Sequence, residues 1–189
     1  MKGFLLSIST TLLMLTFASC KSEHDYRHEI ASLDSLNNAI AAINEDLDHF
    51  EIFSPDSINQ KLKYVQENFV GEMKENMALT IDEFANIEKN IDAQTTLRDS
   101  LLSRGNSLQS KCTKLKQAIA EKATHDALNN EITHDYILNA VAKEKENVID
   151  WTGKCKAWKN NVVLVNNSFE KLMPVITQWT DSIPEKKSK

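Results

Sequence analysis

Glycine and proline are nearly missing, with four and three residues in a chain of 189. A β-sandwich or barrel needs turn residues every few positions, and phosphate-cradling loops need glycine, so the shortage argues against both. An excess of base is also lacking. The formal net charge is -5, which argues against broad nucleic-acid binding. No nucleophilic-serine motif, Rossmann fingerprint, His-Glu-x-x-His or EF-hand loop occurs. The chain therefore reads as non-enzymatic. The composition suffices for one folded domain: 41% hydrophobic and 26% charged residues.

The first twenty residues carry an address. Lys2 makes a short basic start, an apolar run extends from Phe4 to Phe17, and Ala18-Ser19 precede Cys20. The run is too short, and the residues after it are too polar, for a membrane span. Phe17-Ala18-Ser19-Cys20 resembles the lipobox of bacterial lipoproteins, with Phe17 where that class carries an aliphatic residue. The resemblance implies cleavage of residues 1–19 and a diacylglycerol on Cys20, the one covalent lipid and no other cofactor. Lys21 is not the aspartate that retains enterobacterial lipoproteins at the inner membrane, which implies the outer membrane. Lys21-Ser22-Glu23-His24-Asp25 is similar to the charged export signal of surface lipoproteins in Bacteroidota. Cleavage removes one base and no acid, leaving a charge of -6.

With Cys20 lipidated, Cys112 and Cys155 remain as a pair in an oxidising compartment. Their spacing fits neither zinc nor a Cys-x-x-Cys redox site, so a structural disulfide is expected.

The remainder is written in heptads. One seam runs Ile137, Val141, Glu144, Val148, Trp151, Cys155, Trp158, Val162, Val165, Phe169, Leu172, Ile176, Trp179. A second runs Phe84, Ile87, Ile91, Gln94, Arg98, Leu101, Gly105, Leu108, Cys112, Leu115, Ile119, Lys122. If the two form an antiparallel hairpin bonded through Cys112 and Cys155, facing residue numbers add to 267. That sum puts the turn near residue 133, pairs Lys122 with Glu144, and sets Gly105 near Trp158. Two shorter seams precede them: Leu33, Leu36, Ile40, Ile43, Leu47, Phe50, then Ile58, Leu62, Val65, Phe69, Met73, Met77. Between these lie Ser54, an N-cap, and Pro55, suited to the first helical position. They read as a short hairpin with a facing sum of about 109, setting Phe50 against Ile58. Thr80-Ile81-Asp82-Glu83 has capping-box form, so the chain should break near residue 79, the alternative being one continuous helix over 55–128.

The expected fold is all-α: helices over about 26–53, 55–78, 81–128 and 131–180, forming a four-helix bundle with a protruding two-helix arm. Residues 1–19 are the signal, 20–25 a lipidated linker, 26–181 a single helical domain (short hairpin 26–78, long hairpin 81–180), and 182–189 a basic tail. The upper half of the long hairpin is rich in alanine off the seam, including Ala118, Ala120 and Ala123, which suits a narrow arm. On this arrangement the arm tip points away from the membrane. It gathers His125, Asp126, Asn129, Asn130, Glu131, His134, Asp135 and Tyr136, polar groups suited to contact with an envelope protein. His24 and His28, and the His-Asp pairs at 125–126 and 134–135, have metal-capable spacing but no firm further ligand, so no metal is assigned. The leading functional reading is a membrane-anchored envelope spacer, adaptor or protein-binding module. A periplasmic chaperone-like clamp and a metal-binding lipoprotein are the alternatives.

Overall fold

The computed structural model describes residues 24–69 and 75–183. The segment expected to be a signal, Cys20, Gly71, Met73 and the lysines of the tail lie outside the described residues. Among the described residues four α-helices occur in order: α1 Arg27–His49, α2 Asp56–Asn68, α3 Glu75–Ala120 and α4 His134–Ser182. The expected all-α helical bundle is present, and its seams form the core. Leu33, Ile40 and Leu47 of α1, Ile58 and Val65 of α2, Cys112 of α3, and Trp151, Val162 and Ile176 of α4 are wholly buried.

The arrangement of the helices differs from the expected pair of hairpins. Between α1 and α3, Asp34 meets Lys116, Asn37 meets Thr113 and Asn44 meets Asn106, each pair adding to 150. A constant sum means antiparallel. Between α1 and α4, Tyr26 meets His134 and Phe50 meets Trp158, each pair differing by 108. A constant difference means parallel. Lys61 of α2 meets Thr177, and Phe53 just before it meets Phe169, both differing by 116. So α1 and α2 run in the same direction, one after the other, along a single α3–α4 hairpin. The molecule is a three-rod bundle whose first rod is broken in the middle.

The jump from 108 to 116 measures the break. Residues 50–55 are not helical. Phe50 is extended, and an extended residue advances about 3.3 Å against about 1.5 Å in a helix, so a non-helical break carries the chain farther along α4 per residue and the offset grows. Side chains of α4 hold this segment straight. Asn166 donates Nδ2 to the Glu51 carbonyl at 3.0 Å and accepts the Phe53 N–H at 3.3 Å. Phe50 packs edge-on against Trp158 with centroids 5.5 Å apart, and Phe53 lies 5.3 Å from Phe169. The helix starts one residue later than expected, with Pro55 at the N-cap and no capping side chain; Ser54 accepts the Asp56 N–H at 3.3 Å just before it, and the helix is a continuation and not a return. The short hairpin with its sum of 109 is thereby overturned, and with it the bare arm: α1 covers the upper half of the long hairpin and α2 the lower.

The break after α2 exists, as expected, but comes earlier than residue 79. Phe69 is extended (φ -69°, ψ 121°), closing α2 at Asn68. Thr80 lies inside α3, where its hydroxyl donates to the Asn76 carbonyl at 2.9 Å instead of capping.

The register of the long hairpin also differs. Phe84 lies 6.2 Å from Phe169, the Trp158 indole donates to the Gln94 carbonyl at 2.8 Å, and the Trp151 indole to the Leu101 carbonyl at 2.9 Å. These pairs add to 252 or 253, against the expected 267. The difference is two heptads, which moves every partner yet leaves every seam residue on its seam. Cys112 and Cys155 are therefore not level with each other. Both are buried free thiols, and the expected disulfide is not formed. Glu144 lies beside Cys112 and helps burial push that thiol up to about 11. Gly105 does make room for an indole, but that of Trp151: a Cβ at residue 105 would lie 2.7 Å from Trp151 Cζ2.

Candidate functional site at the loop end

The long helices are joined by residues 121–133, and the loop is built at both borders. At the end of α3, Ala123 N–H bonds the Ala118 carbonyl at 2.9 Å and Lys122 N–H the Ile119 carbonyl at 3.2 Å. This is a Schellman closure with Lys122 in the left-handed position at φ 53°. At the start of α4, Thr133 accepts the Tyr136 N–H at 3.1 Å. Between them the chain folds back on itself. His125 and Glu131 form one antiparallel bridge, and Ile132 N–H bonds the Thr124 carbonyl at 2.8 Å.

Asp126 holds this turn. Its carboxylate accepts Leu128 N–H at 2.9 Å, Asn130 N–H at 2.8 Å, Asn130 Nδ2 at 2.9 Å and Tyr136 Oη at 3.0 Å. Four donors on one anion favour its charged form and lower the carboxyl to about 2, the Asn130 side chain contributing most. Tyr136 shifts the other way, raised first by burial and then by its bond to Asp126. Asn129 takes the left-handed conformation at φ 63°, which asparagine tolerates. Of the eight residues expected at the tip, Asp126, Asn130 and Tyr136 are thus spent on the loop itself. His125, Asn129, Glu131 and Asp135 face solvent.

His134 points elsewhere. Its ring stacks on that of His24, with centroids 3.9 Å apart and planes 13° from parallel. Its Nδ1 lies 3.3 Å from Tyr26 Oη. The start of α1 and the loop therefore share one end of the molecule. The expectation that this loop lies far from the segment after Cys20 is overturned, because α1 descends from the loop instead of rising toward it. Beside the contact, Asp25 and Arg27 pair at 2.5 Å, which lowers the Asp25 carboxyl and raises Arg27.

The two segments and the end of α3 enclose a cleft of about 850 Å³. Ile30, Ile119, Ile132 and Ile137 supply apolar walls, while His24, Arg27 and Glu131 stand among the polar ones. The small side chains of Ala118 and Ala123 leave the space open. Those alanines are visible in the sequence, where they read as the mark of a narrow arm. They mark a hollow that α1 only partly fills. Neither the cleft nor the His24–His134 stack is foreseen by heptad reading, since both join residues more than a hundred positions apart. An Asp with an Asn four residues later was the available sign of a self-bonded turn.

Among the described residues, no three His, Cys, Asp or Glu side chains are placed to hold a metal ion. No helix is long and apolar enough to cross a membrane, among those same residues. No protein-family model, curated protein or solved structure matches this chain.

Proposed function

We propose that this chain is a non-enzymatic, lipid-anchored envelope protein that works as a spacer or adaptor. Support comes from one observation above the rest: the segment after Cys20 and the α3–α4 loop occupy the same end of the bundle, 3.9 Å apart at His24 and His134. A lipid on Cys20, implied by the lipobox-like signal, then fixes which end faces the membrane. The 49 residues of α4 carry the rod roughly 70 Å from that end. The far end, near the start of α3 and the end of α4, becomes the place for an envelope partner. This reverses the orientation expected when the loop was read as a distal tip. The outer membrane remains the proposed site, on the strength of Lys21.

Photo-crosslinking at two exposed leucines tests the reading. Leu79 lies near the far end and Leu128 in the loop. A photoreactive residue at 79 should capture protein and one at 128 should not. Protein captured only at 128 would refute the assignment. Separately, Cys20→Ala should move the protein out of the detergent phase; retention there in high salt removes the anchor.

A further inference from the structure

We propose that the α3–α4 loop end is itself a membrane-contact surface, lying on the bilayer that carries the Cys20 lipid, with Leu128 seated among the lipid chains. This rests on the anchor reading and adds a second point of contact to it. The tether comes first. Three residues separate Cys20 from His24, so His24 lies at most about 14 Å from the lipidated residue. His24 is stacked on His134 at the first turn of α4, so the loop inherits that limit. The far end has no such constraint.

The second argument is the surface of the loop. Leu128 is 84% exposed, more than any other large hydrophobic described, and it stands within the folded-back turn. Its backbone N–H is bound to Asp126, which in turn is held by Asn130 and Tyr136. A single exposed leucine on a mobile loop means little. A leucine held out on a bonded turn, at the end tied to a lipid, is placed for insertion. Tyr26 and Tyr136 sit at the same end, each with an apolar ring and a hydroxyl, the residue type enriched where bilayer meets water. The isoleucine-walled cleft adds apolar surface beside them.

The charges define which bilayer. Asp25, Glu29, Glu121, Asp126, Glu131 and Asp135 outnumber Arg27 and Lys122 at this end. An acidic rim is repelled by anionic headgroups, so a zwitterionic surface is the fitting one. Two contacts, lipid and leucine, would hold the rod by its end and set its tilt, whereas a lipid alone leaves it free to swing.

The test uses the acylated protein, purified from membranes and reconstituted in phosphatidylcholine vesicles containing brominated lipid. Leu128→Trp and Leu79→Trp are compared, each after subtracting the parent emission from Trp151, Trp158 and Trp179. Both positions are exposed, so both variants should fold. The indole at 128 is expected to lose most of its emission to bromine and that at 79 to keep its own. Intact mass reports the lipid on Cys20. Lipid present with equal quenching at both positions, or none at 128, overturns this surface and leaves the anchor standing. No lipid on Cys20 overturns the anchor reading and this surface with it.

Discussion

The half of the long hairpin covered by α1 and the half covered by α2 use the same seven-residue repeat and secure it by different means. The α1 half is sealed by aliphatic side chains with no exposure, Leu33, Ile40 and Leu47, around the buried Trp151. Polar pairs then tie α1 to α3 at three levels: Asp34–Lys116, Asn37–Thr113 and Asn44–Asn106. The α2 half has a smaller core built on Ile58, Phe84, Phe169 and Ile176, under a helix of 13 residues against 23 for α1. Its ties are Asn59–Glu88 and Lys61–Thr177. The contrast teaches that burial obeys the repeat, whereas register obeys whatever interrupts it. Gly105 stands once on its seam, and the two indole bonds to α3 carbonyls and the Asn37 and Asn44 ties of α1, each set one heptad apart, stop after two repeats and are concentrated in the upper half and at its border.

The widest gap between the halves should appear when a large buried ring is removed from each. Trp151→Ala empties the centre of the α1 half and removes the bond to the Leu101 carbonyl, for an expected loss of about 4 kcal/mol. Phe84→Ala, nearly as buried but in the smaller cluster, should cost about 3 kcal/mol because its surroundings can collapse further. Urea midpoints at unchanged slope measure both. A shallower slope in either variant would show that its half melts by itself, and equal losses would dissolve the comparison.

A sharper contrast comes from the two glycines inside the described helices. Alanine in place of a helical glycine ordinarily stabilises by about 0.5–1 kcal/mol. At Gly153 nothing lies within 4 Å of the added methyl, so Gly153→Ala should show that gain. At Gly105 the methyl meets Asn44 Oδ1 of α1 first and then Trp151 at 2.7 Å; the amide can turn aside, but the indole is fully buried and pinned by its own bond. Gly105→Ala should instead destabilise, by about 1–3 kcal/mol. A gain at both positions would mean that the indole is not seated there and that the register differs from the one described.

Burial was legible in the sequence, and partnership was not. Leu33, Ile40, Phe84, Trp151 and Ile176 are buried where periodicity puts them, because a 3.5-residue repeat demands a shared face whatever the partner. The partner is another matter. A slip of two heptads conserves every seam, so no seam residue could reveal that Trp151 meets Leu101. The expected sum was set by assuming that Cys112 and Cys155 bond, and two buried thiols on two seams carry no such information. Gly105 gave the right kind of signal, a small residue opposite an indole, yet Trp151 and Trp158 are one heptad apart and either satisfies it. Pro55 was read as starting a return. Nothing local distinguishes a return from a straight break, since Asn166 and Phe169, which hold it straight, lie more than a hundred residues away. The loop end was legible only as polar, and its contact with His24 depends on the direction of α1.

The thiols give a smaller effect, and one that tests the register from inside the core. Burial raises both Cys112 and Cys155 to about 11, with Glu144 adding to the rise at Cys112. At neutral pH both should stay protonated and react with a disulfide reagent only as fast as the bundle opens. Denatured protein should show both at once. Fast reaction of either thiol in the native state would contradict its burial, and the absence of reactive thiols after denaturation would restore the disulfide. Since the folded value lies above the ordinary 9.0, stability should also fall as pH rises through 9 toward 11.

The smallest expected effect is at the loop, where the two ends of the rod can be told apart by acid. Asp126 titrates near 2 in the folded chain and near 3.8 when its donors are gone. Below about pH 4 the unfolded chain takes up that proton first, so the carboxylate's contribution is whole above pH 4, shrinks as pH falls toward 2, and is absent below. The group lies in the loop, outside the bundle core, so the effect should be local rather than a collapse of the bundle. Amides of Leu128 and Asn130, which bond this carboxylate, should lose protection from hydrogen exchange between pH 4 and 2, while those around Ile58 and Ile176 at the other end keep theirs. Asp126→Asn keeps the shape but removes the charge that four donors share, and should open the loop at neutral pH. If the Asp126 carboxyl carbon titrates near 4 by nuclear magnetic resonance, the donors are not gathered on it. Leu128 then stands on a mobile loop, and the case for that end as the one resting on the bilayer loses its rigid element.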